Sequence, residues 1–194
     1  MNKIVGIIPS FIDRRNSIGL IIENTLIKFV KKCFPNYEIK ILFDNKIKGR
    51  IDLIISSGGN TVISIKNSNA NLFRKKLDEY YLKKALKNNI KFLGICHGAQ
   101  YVANYFGSEI KKKKHHTRTE HKIKFSSKKV VTVNSYHDYS VITLGKNLKK
   151  IAWSSDGSVE AFKHTKKKLL SIMWHPERYK KIKNFDLRFI KKYL

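Results

Sequence analysis

Only 14 of the 194 residues are acidic, only three are proline and only two are cysteine. Two cysteines, Cys33 and Cys96, cannot build a disulfide framework and fit a reduced, cytoplasmic protein. No run of about 18 apolar residues occurs, so a helical membrane span is excluded. The N-terminal MNKIVGIIPS lacks a long hydrophobic region and a small-residue cleavage site, so no secretory signal is expected. Repeats, linkers and low-complexity tracts are missing apart from lysine clusters at 111–114 and 166–168. The length fits one domain over residues 1–194, large enough to bury a core without metal or disulfide staples.

The shortage of acid leaves an excess of base. Lys and Arg number 41, for a formal charge of +27. Such a charge first raises nucleic acid as a partner. Yet only seven of the basic residues are arginine, the residue that contacts phosphates and guanines bidentately. The lysines run along the whole chain among many Ile and Asn, the mark of compositional drift. Nucleic acid and membrane are therefore not expected as partners. A small anionic substrate, steered inward by the positive field, fits better. Nothing in the sequence specifies an oligomeric state.

Apolar patterning in the first half predicts strands at Lys3–Ile8, Glu38–Phe43, Asp52–Ser56 and Ile90–Ile95. Helices are predicted at Gly19–Val30, at Asn71–Leu86 with Leu72, Phe73, Leu77, Tyr80 and Leu86 as core positions, and from His97 to Tyr105. This alternation argues for βαβ units around a parallel sheet. The second half reads as successive strands at Glu120–Phe125, Lys129–Asn134, Ser140–Thr143, Lys149–Ser154, Val159–His164 and Leu169–Met173. A last helix spans Phe185–Lys192. The fold class is α/β with an antiparallel extension.

Three motifs carry chemistry. In Leu93-Gly-Ile-Cys96-His97-Gly98-Ala-Gln100 a buried strand turns sharply into a helix with a thiol at the tip. The helix N-terminus favours thiolate, and the His97 N–H points toward a developing oxyanion. Met173-Trp-His175-Pro-Glu177 supplies a base and an orienting carboxylate two residues apart, completing a Cys–His–Glu constellation. Ser57-Gly58-Gly59-Asn60 ends another strand and offers N–H groups to an oxyanion. Strands ending in Gly58 and Cys96 are expected to be neighbours. Cys33, without a glycine setting, reads as an inert core residue. His115, His116 and His121 lie in a lysine-rich stretch with no cysteine or carboxylate cluster to complete a ligand set, so a solvated or substrate-contacting loop is expected there and no metal. His164 reads as structural or exposed, and Lys111–Lys114 as a solvated face.

These motifs, in this order, resemble the class I (triad) glutamine amidotransferase-like family. Asn134-Ser135-Tyr136-His137 resembles the family's segment that holds the glutamyl backbone groups, and Asp156-Gly-Ser-Val-Glu160-Ala161 another recurrent segment. The resemblance implies a flavodoxin-like three-layer sandwich with a central, mostly parallel sheet. It implies catalysis by Cys96, His175 and Glu177 through a glutamyl thioester, with an oxyanion hole at Gly59 and His97. Substrate contacts are implied at Gly58, Asn60, Gln100, Ser135, Tyr136 and His137. Arg118 and Arg178 are candidates for an anionic leaving group. No metal or organic cofactor is implied. His97 stands where Arg or Leu is commoner, a change expected to matter little for a backbone N–H. The stretches Trp174–Arg178 and His116–Ile123 look most like the free-standing gamma-glutamyl hydrolase branch. Its short, lysine-rich members imply a cytidine diphosphoramidate leaving group from capsule biosynthesis. The alternatives are a glutaminase subunit feeding ammonia to a separate synthase, a hydrolase of a neutral gamma-glutamyl amine, and a non-catalytic RNA-binding protein on the same fold.

Overall fold

The computed structural model describes residues 2–47, 49–62 and 65–194. The chain opens with strand β1 (Lys3–Ile8), then a hairpin of β2 (Ser10–Arg14) and β3 (Ser17–Ile21), and helix α1 (Asn24–Cys33). Next come β4 (Tyr37–Ile41), β5 (Leu53–Ser56), α2 (Asn69–Asn88), β6 (Lys91–Ile95) and α3 (His97–Tyr105). The remainder is β7 (Glu109–Lys112), β8 (Thr117–Phe125), β9 (Val130–Tyr136), β10 (Tyr139–Thr143), β11 (Leu148–Ser154), β12 (Val159–His164), β13 (Leu169–Ile172) and α4 (Asn184–Tyr193).

The parallel core runs β4-β1-β5-β6-β13 across the sheet. Counted among themselves in chain order, these strands lie 2-1-3-4-5, the flavodoxin-like order. β12, β11, β8 and β9 continue the sheet antiparallel, and β10 branches from β12 to pair with β7. Side chains alternate across the core strands with a period of two. Val5, Ile7, Leu53, Ile55, Leu93, Ile95, Leu170 and Ile172 meet α1 and α4 on one face. Ile8, Ile54, Phe92, Leu169 and Met173 meet α2 and α3 on the other. The result is a three-layer sandwich. Among the described residues, no helix is long and apolar enough to cross a membrane.

Two sequence expectations are corrected. The helix predicted at Gly19–Val30 begins only at Asn24, because Ser17–Ile21 pairs with Ser10–Arg14 as a hairpin. The 3.6-residue spacing of Leu26 and Val30 is real and both are buried, but Ile18, Leu20 and Ile21 stay exposed on the hairpin. The second helix forms, yet with a different inner face. Leu72 and Tyr80 are exposed, Phe73 and Leu86 are half-buried, and the buried positions include Arg74, Leu77, Asp78, Tyr81, Leu82 and Ala85. An internal ion pair at Arg74 and Asp78 rotates the helix away from its most apolar stripe. Asp13 on the hairpin accepts from the Ala70 N–H (2.9 Å) and Ser68 from the Asn71 N–H (3.2 Å), together capping the N-terminus of α2. The lysine cluster at 111–114 stays mostly exposed but contributes an edge strand, β7, that the sequence did not announce.

α3 packs so closely on the sheet that Gly98 has no room for a side chain: a Cβ there would stand 2.2 Å from the Ser56 carbonyl oxygen. Both atoms belong to backbone, so Gly98→Ala must push α3 off the sheet. It is expected to lose about 1–3 kcal/mol or more in urea unfolding, against less than about 0.5 kcal/mol for Leu72→Ala on the exposed face. Equal midpoints for the two variants would refute this packing.

Candidate active site

Cys96 sits at the junction of β6 and α3 with φ 50° and ψ −100°. A non-glycine residue held there stores about 1–3 kcal/mol of strain. The turn is fixed on both sides. The Cys96 N–H donates to the Ile172 carbonyl (2.9 Å), and its own carbonyl accepts from the Gln100 N–H (2.9 Å). His97 is the first residue of α3, so its N–H belongs to the helix turn that lacks intrahelical acceptors.

His175 follows the last parallel strand and enters a short 3-10 turn, Pro176–Arg178. Its Nδ1–H donates to Glu177 Oε1 at 2.6 Å, and both side chains are buried. Its other side faces Cys96, to which it hydrogen-bonds. Burial pushes the imidazole down, but the negative charges at Cys96 and Glu177 outweigh burial and raise it to about 10. The Asn134 side chain holds the backbone of His175 at two points: Nδ2 donates to the His175 carbonyl and Oδ1 accepts its N–H, each at 2.8 Å. Gly58 lies against the ring, where a Cβ would be 2.5 Å from His175 Cε1 and 3.5 Å from Cys96 Cβ. The ends of β5 and β6 are thus adjacent, as expected, with Ser56 opposite Gly94.

The loop 57–60 is held from beneath by buried charges. Arg74 pairs with Asp78 at 2.9 Å, and neither side chain is exposed. Arg74 also donates to the carbonyls of Pro9 (2.5 Å) and Ser57 (2.8 Å) and to Ser56 Oγ (2.9 Å). Ser56 Oγ in turn donates to Asp78 Oδ1 at 2.7 Å. The His97 ring bridges the Asn60 carbonyl and Asp78 Oδ2, each at 3.0 Å. Burial alone would push the Asp78 carboxyl up; Arg74 and His97 hold it below the usual carboxylate range. Burial and the Arg74 charge together hold the His97 imidazole below its ordinary value. The His97 side chain therefore matters more than the sequence implied.

A cavity of about 280 Å³ opens over Cys96, lined by Gly59, Asn60, Gln100, Tyr136, His137, Tyr139, His175 and Arg178 among others. Gln100 is fixed there by donating from Nε2 to the Tyr139 carbonyl (2.8 Å). Tyr136 sets its ring edge-on to His175 at 5.7 Å, and the Arg178 guanidinium stacks over Tyr136 at 4.9 Å. Burial holds the His137 imidazole down at about 4. Gly58 lines an adjoining cleft with Glu23, Glu177 and Arg178. Glu23 clamps Arg178 through both guanidinium edges, at 3.2 and 2.5 Å.

Four expectations fail. The Asn60 side chain is fully engaged with Phe11 N–H (2.8 Å), the Phe11 carbonyl and Asn71 (2.9 Å each), so it pins the loop rather than reaching for substrate. Ser135 is buried and donates to the His116 carbonyl at 2.6 Å, outside the cavity lining. Arg118 is exposed at a left-handed bulge of β8 (φ 52°), also outside that lining. His116 and His121 are not in a solvated loop. His116 is buried and His121 half-buried, beside the buried carboxylate of Glu160, which the sequence separates from them by about forty positions. The exposed His115 and the half-buried His164, packed on Phe106 at 5.2 Å, are as expected. Cys33 is buried in α1, and burial pushes its thiol up to about 11. Sequence reasoning missed Arg74, Asp78, Asn134 and Glu23. The first two carried a legible signal, opposite charges at i and i+4 flanking the core residue Leu77.

The model of the class-I glutamine amidotransferase family matches residues 25–191, and the chain belongs to that family. It is similar to the gamma-glutamyl-CDP-amidate hydrolase of Campylobacter jejuni, 34% identical over 87% of this chain and 82% of that protein. The glutamine-hydrolysing subunit of the GMP synthase of Archaeoglobus fulgidus is 28% identical over 66% of this chain and 68% of its own length. Among solved structures, a glutamine amidotransferase from Thermotoga maritima shares the fold with a TM-score of 0.69 at 17% identity, over 91% of this chain and 77% of that one.

Arg74→Met leaves Asp78 as a buried charge without its main partner and is expected to cost about 3–5 kcal/mol in urea unfolding. Adding Asp78→Leu should recover part of that loss, since the pair fails together. Strictly additive losses in the double-mutant cycle would show that the two groups are not coupled.

Proposed function

We propose that this protein hydrolyses the gamma-glutamyl amide bond of gamma-glutamyl-CDP-amidate, releasing glutamate and cytidine diphosphoramidate for capsular polysaccharide biosynthesis. One observation carries the reading. Cys96 stands on a strained strand-to-helix turn beside His175, whose Nδ1–H is bonded to Glu177 at 2.6 Å. The similarity to the Campylobacter hydrolase supports the choice of substrate.

In this reading the Cys96 thiolate attacks the gamma-carbonyl carbon, and the carbonyl electrons move onto oxygen. The N–H groups of Gly59 and His97 stabilise that oxyanion. His175, as imidazolium, gives its Nε2 proton to the amide nitrogen, the C–N bond breaks, and the phosphoramidate leaves. Neutral His175 then takes a proton from water. The hydroxide adds to the thioester, thiolate is expelled and glutamate departs. Glu177 holds the imidazole in register and favours its charged form. Gln100, Tyr136 and His137 surround the glutamyl group. Arg178, stacked on Tyr136 at the rim, faces the phosphates. The substrate is a small anion, and the site requires no metal or organic cofactor.

A second reading, a glutaminase subunit serving a separate synthase, has support from the GMP synthase relative. Turnover by the chain alone separates the two. Fast release of glutamate from the nucleotide-linked substrate supports the hydrolase. Near-idle behaviour without a partner supports the second reading. Cys96→Ser is expected to lower kcat by several orders of magnitude, while Cys33→Ala leaves it unchanged. Arg178→Gln should reduce kcat/KM for gamma-glutamyl-CDP-amidate by about 10–100-fold, the scale of one hydrogen bond to a charged group, and leave glutamine hydrolysis nearly unaffected. Added salt should slow the nucleotide-linked substrate more than glutamine. If glutamine or a neutral gamma-glutamyl amine is preferred at every salt concentration, the anionic substrate is wrong.

The pH profile follows from His175. Its folded value, about 10, stands above the 6.5 of free imidazole. The charged ring therefore contributes fully below pH 6.5 and is lost as pH rises through about 10. Activity is expected to hold through neutral pH and fall on an alkaline limb near 10, and Glu177→Gln should move that limb toward neutral. An unshifted limb in Glu177→Gln would detach the carboxylate from the base.

A further inference from the structure

The antiparallel half of the sheet encloses four titratable side chains that the hydrolytic reaction leaves largely unused. His116 stands just before β8, His121 lies within it, His137 follows β9 and Glu160 lies in β12. Glu160 is 0% exposed, and His116 and His137 are each 4% exposed. One carboxylate oxygen, Glu160 Oε1, is faced by three imidazole nitrogens: His121 Nε2 at 3.4 Å, His116 Nδ1 at 3.6 Å and His137 Nε2 at 3.8 Å. None of these four atoms has a hydrogen-bond partner, and neither does Glu160 Oε2.

The far sides of two rings fix where the protons are. His116 Nε2–H donates to Asp156 Oδ2 and His137 Nδ1–H donates to the Tyr139 carbonyl, each at 3.1 Å. The nitrogens turned toward Glu160 in the neutral rings are then lone pairs aimed at a carboxylate oxygen. A carboxylate held out of water with no donor costs several kcal/mol, and opposing lone pairs add to it. A cation at the centre makes each of these contacts favourable. An imidazole whose outer N–H is held by a carboxylate or a backbone carbonyl is also the usual setting of a metal-ligating histidine.

We propose that His116, His121, His137 and Glu160 bind one divalent transition-metal ion of the zinc class. Imidazole and carboxylate suit such an ion better than calcium or magnesium, which take oxygen ligands. Zinc bound tetrahedrally at about 2.0–2.1 Å sets its ligand atoms about 3.3 Å apart, so gaps of 3.4–3.8 Å need only a small contraction. Four protein ligands leave no open position, which makes the site structural rather than catalytic. The ion ties β8, the β9–β10 turn and β12 together. Through His137 it braces the cavity wall opposite Cys96.

The test is zinc titration of the chelator-stripped, full-length protein, read by competition with a chromophoric chelator and by elemental mass spectrometry. The expected result is one equivalent per chain, kept in Cys96→Ser and in Cys33→Ala. Glu160→Gln and His121→Ala should each lose affinity by at least about 100-fold, the upper end for disturbing even an outer partner. His121 is half-buried, so His121→Ala keeps the test decisive if Glu160→Gln fails to fold. Cobalt in place of zinc should give visible bands of a four-coordinate site without a sulfur charge-transfer band. Lack of stoichiometric binding, binding that survives both ligand variants, or binding that vanishes in Cys96→Ser would overturn the proposal. Because Cys96→Ser is inactive in the hydrolase reading yet keeps the metal here, the two ideas fail separately.

Discussion

Arg74 and Asp78 form an ion pair at 2.9 Å with neither side chain exposed, and the ends of the catalytic-side strands depend on it. Arg74 draws in the carbonyl that follows β1 and the one that follows β5, while Asp78 reaches the His97 ring at the start of α3 and, through it, Asn60. Three separate turns are thereby held at one depth. Replacing such a pair by apolar residues is often neutral for stability, so stability alone does not explain it. What it supplies is position: donors and acceptors in fixed directions under a loop that must approach His175 within the width of a glycine.

The parallel core was legible because buried strands read as short apolar runs, and Val159–His164 and His97–Tyr105 fall where periodicity puts them. The hairpin at Ser10–Ile21 was not. Its alternating Ile and Leu face solvent, so the pattern carried no burial signal and was absorbed into the helix that follows. The inner face of α2 was misread because a pattern of hydrophobicity cannot register a buried arginine. At the site, Cys96, His175 and Glu177 were legible because their chemistry needs fixed neighbours in sequence. Asn134, which grips the His175 backbone, acts across 41 positions and leaves no local trace. Glu160 stood out only as part of a recurrent segment, since only the fold brings it to His116 and His121.

Charge divides the molecule in two. Of 14 acidic residues, Asp78, Glu160, Glu177 and Asp186 are buried. Each is placed against a specific group: Arg74 and His97, a histidine cluster, His175, and the Trp174 indole N–H at 2.8 Å. Burial raises Asp186 to about 6, whereas Arg74 and His97 keep Asp78 low. With part of the acid inside, the surface is more basic than the +27 total suggests. Such a surface concentrates small anions without choosing among them. The choice falls to the rim, where Glu23 presets the Arg178 guanidinium over Tyr136.

The central claim is that Cys96 carries the glutamyl group between two half-reactions. The most direct measurement is peptide mass spectrometry after rapid acid quench of gamma-glutamyl-CDP-amidate turnover, with diazo-oxo-norleucine as the stable surrogate. The account predicts a glutamyl adduct on the Cys96 peptide that appears before free glutamate reaches its steady rate, and stoichiometric labelling of the same residue by the surrogate. Labelling of Cys33, or turnover with no adduct on any cysteine, would contradict it.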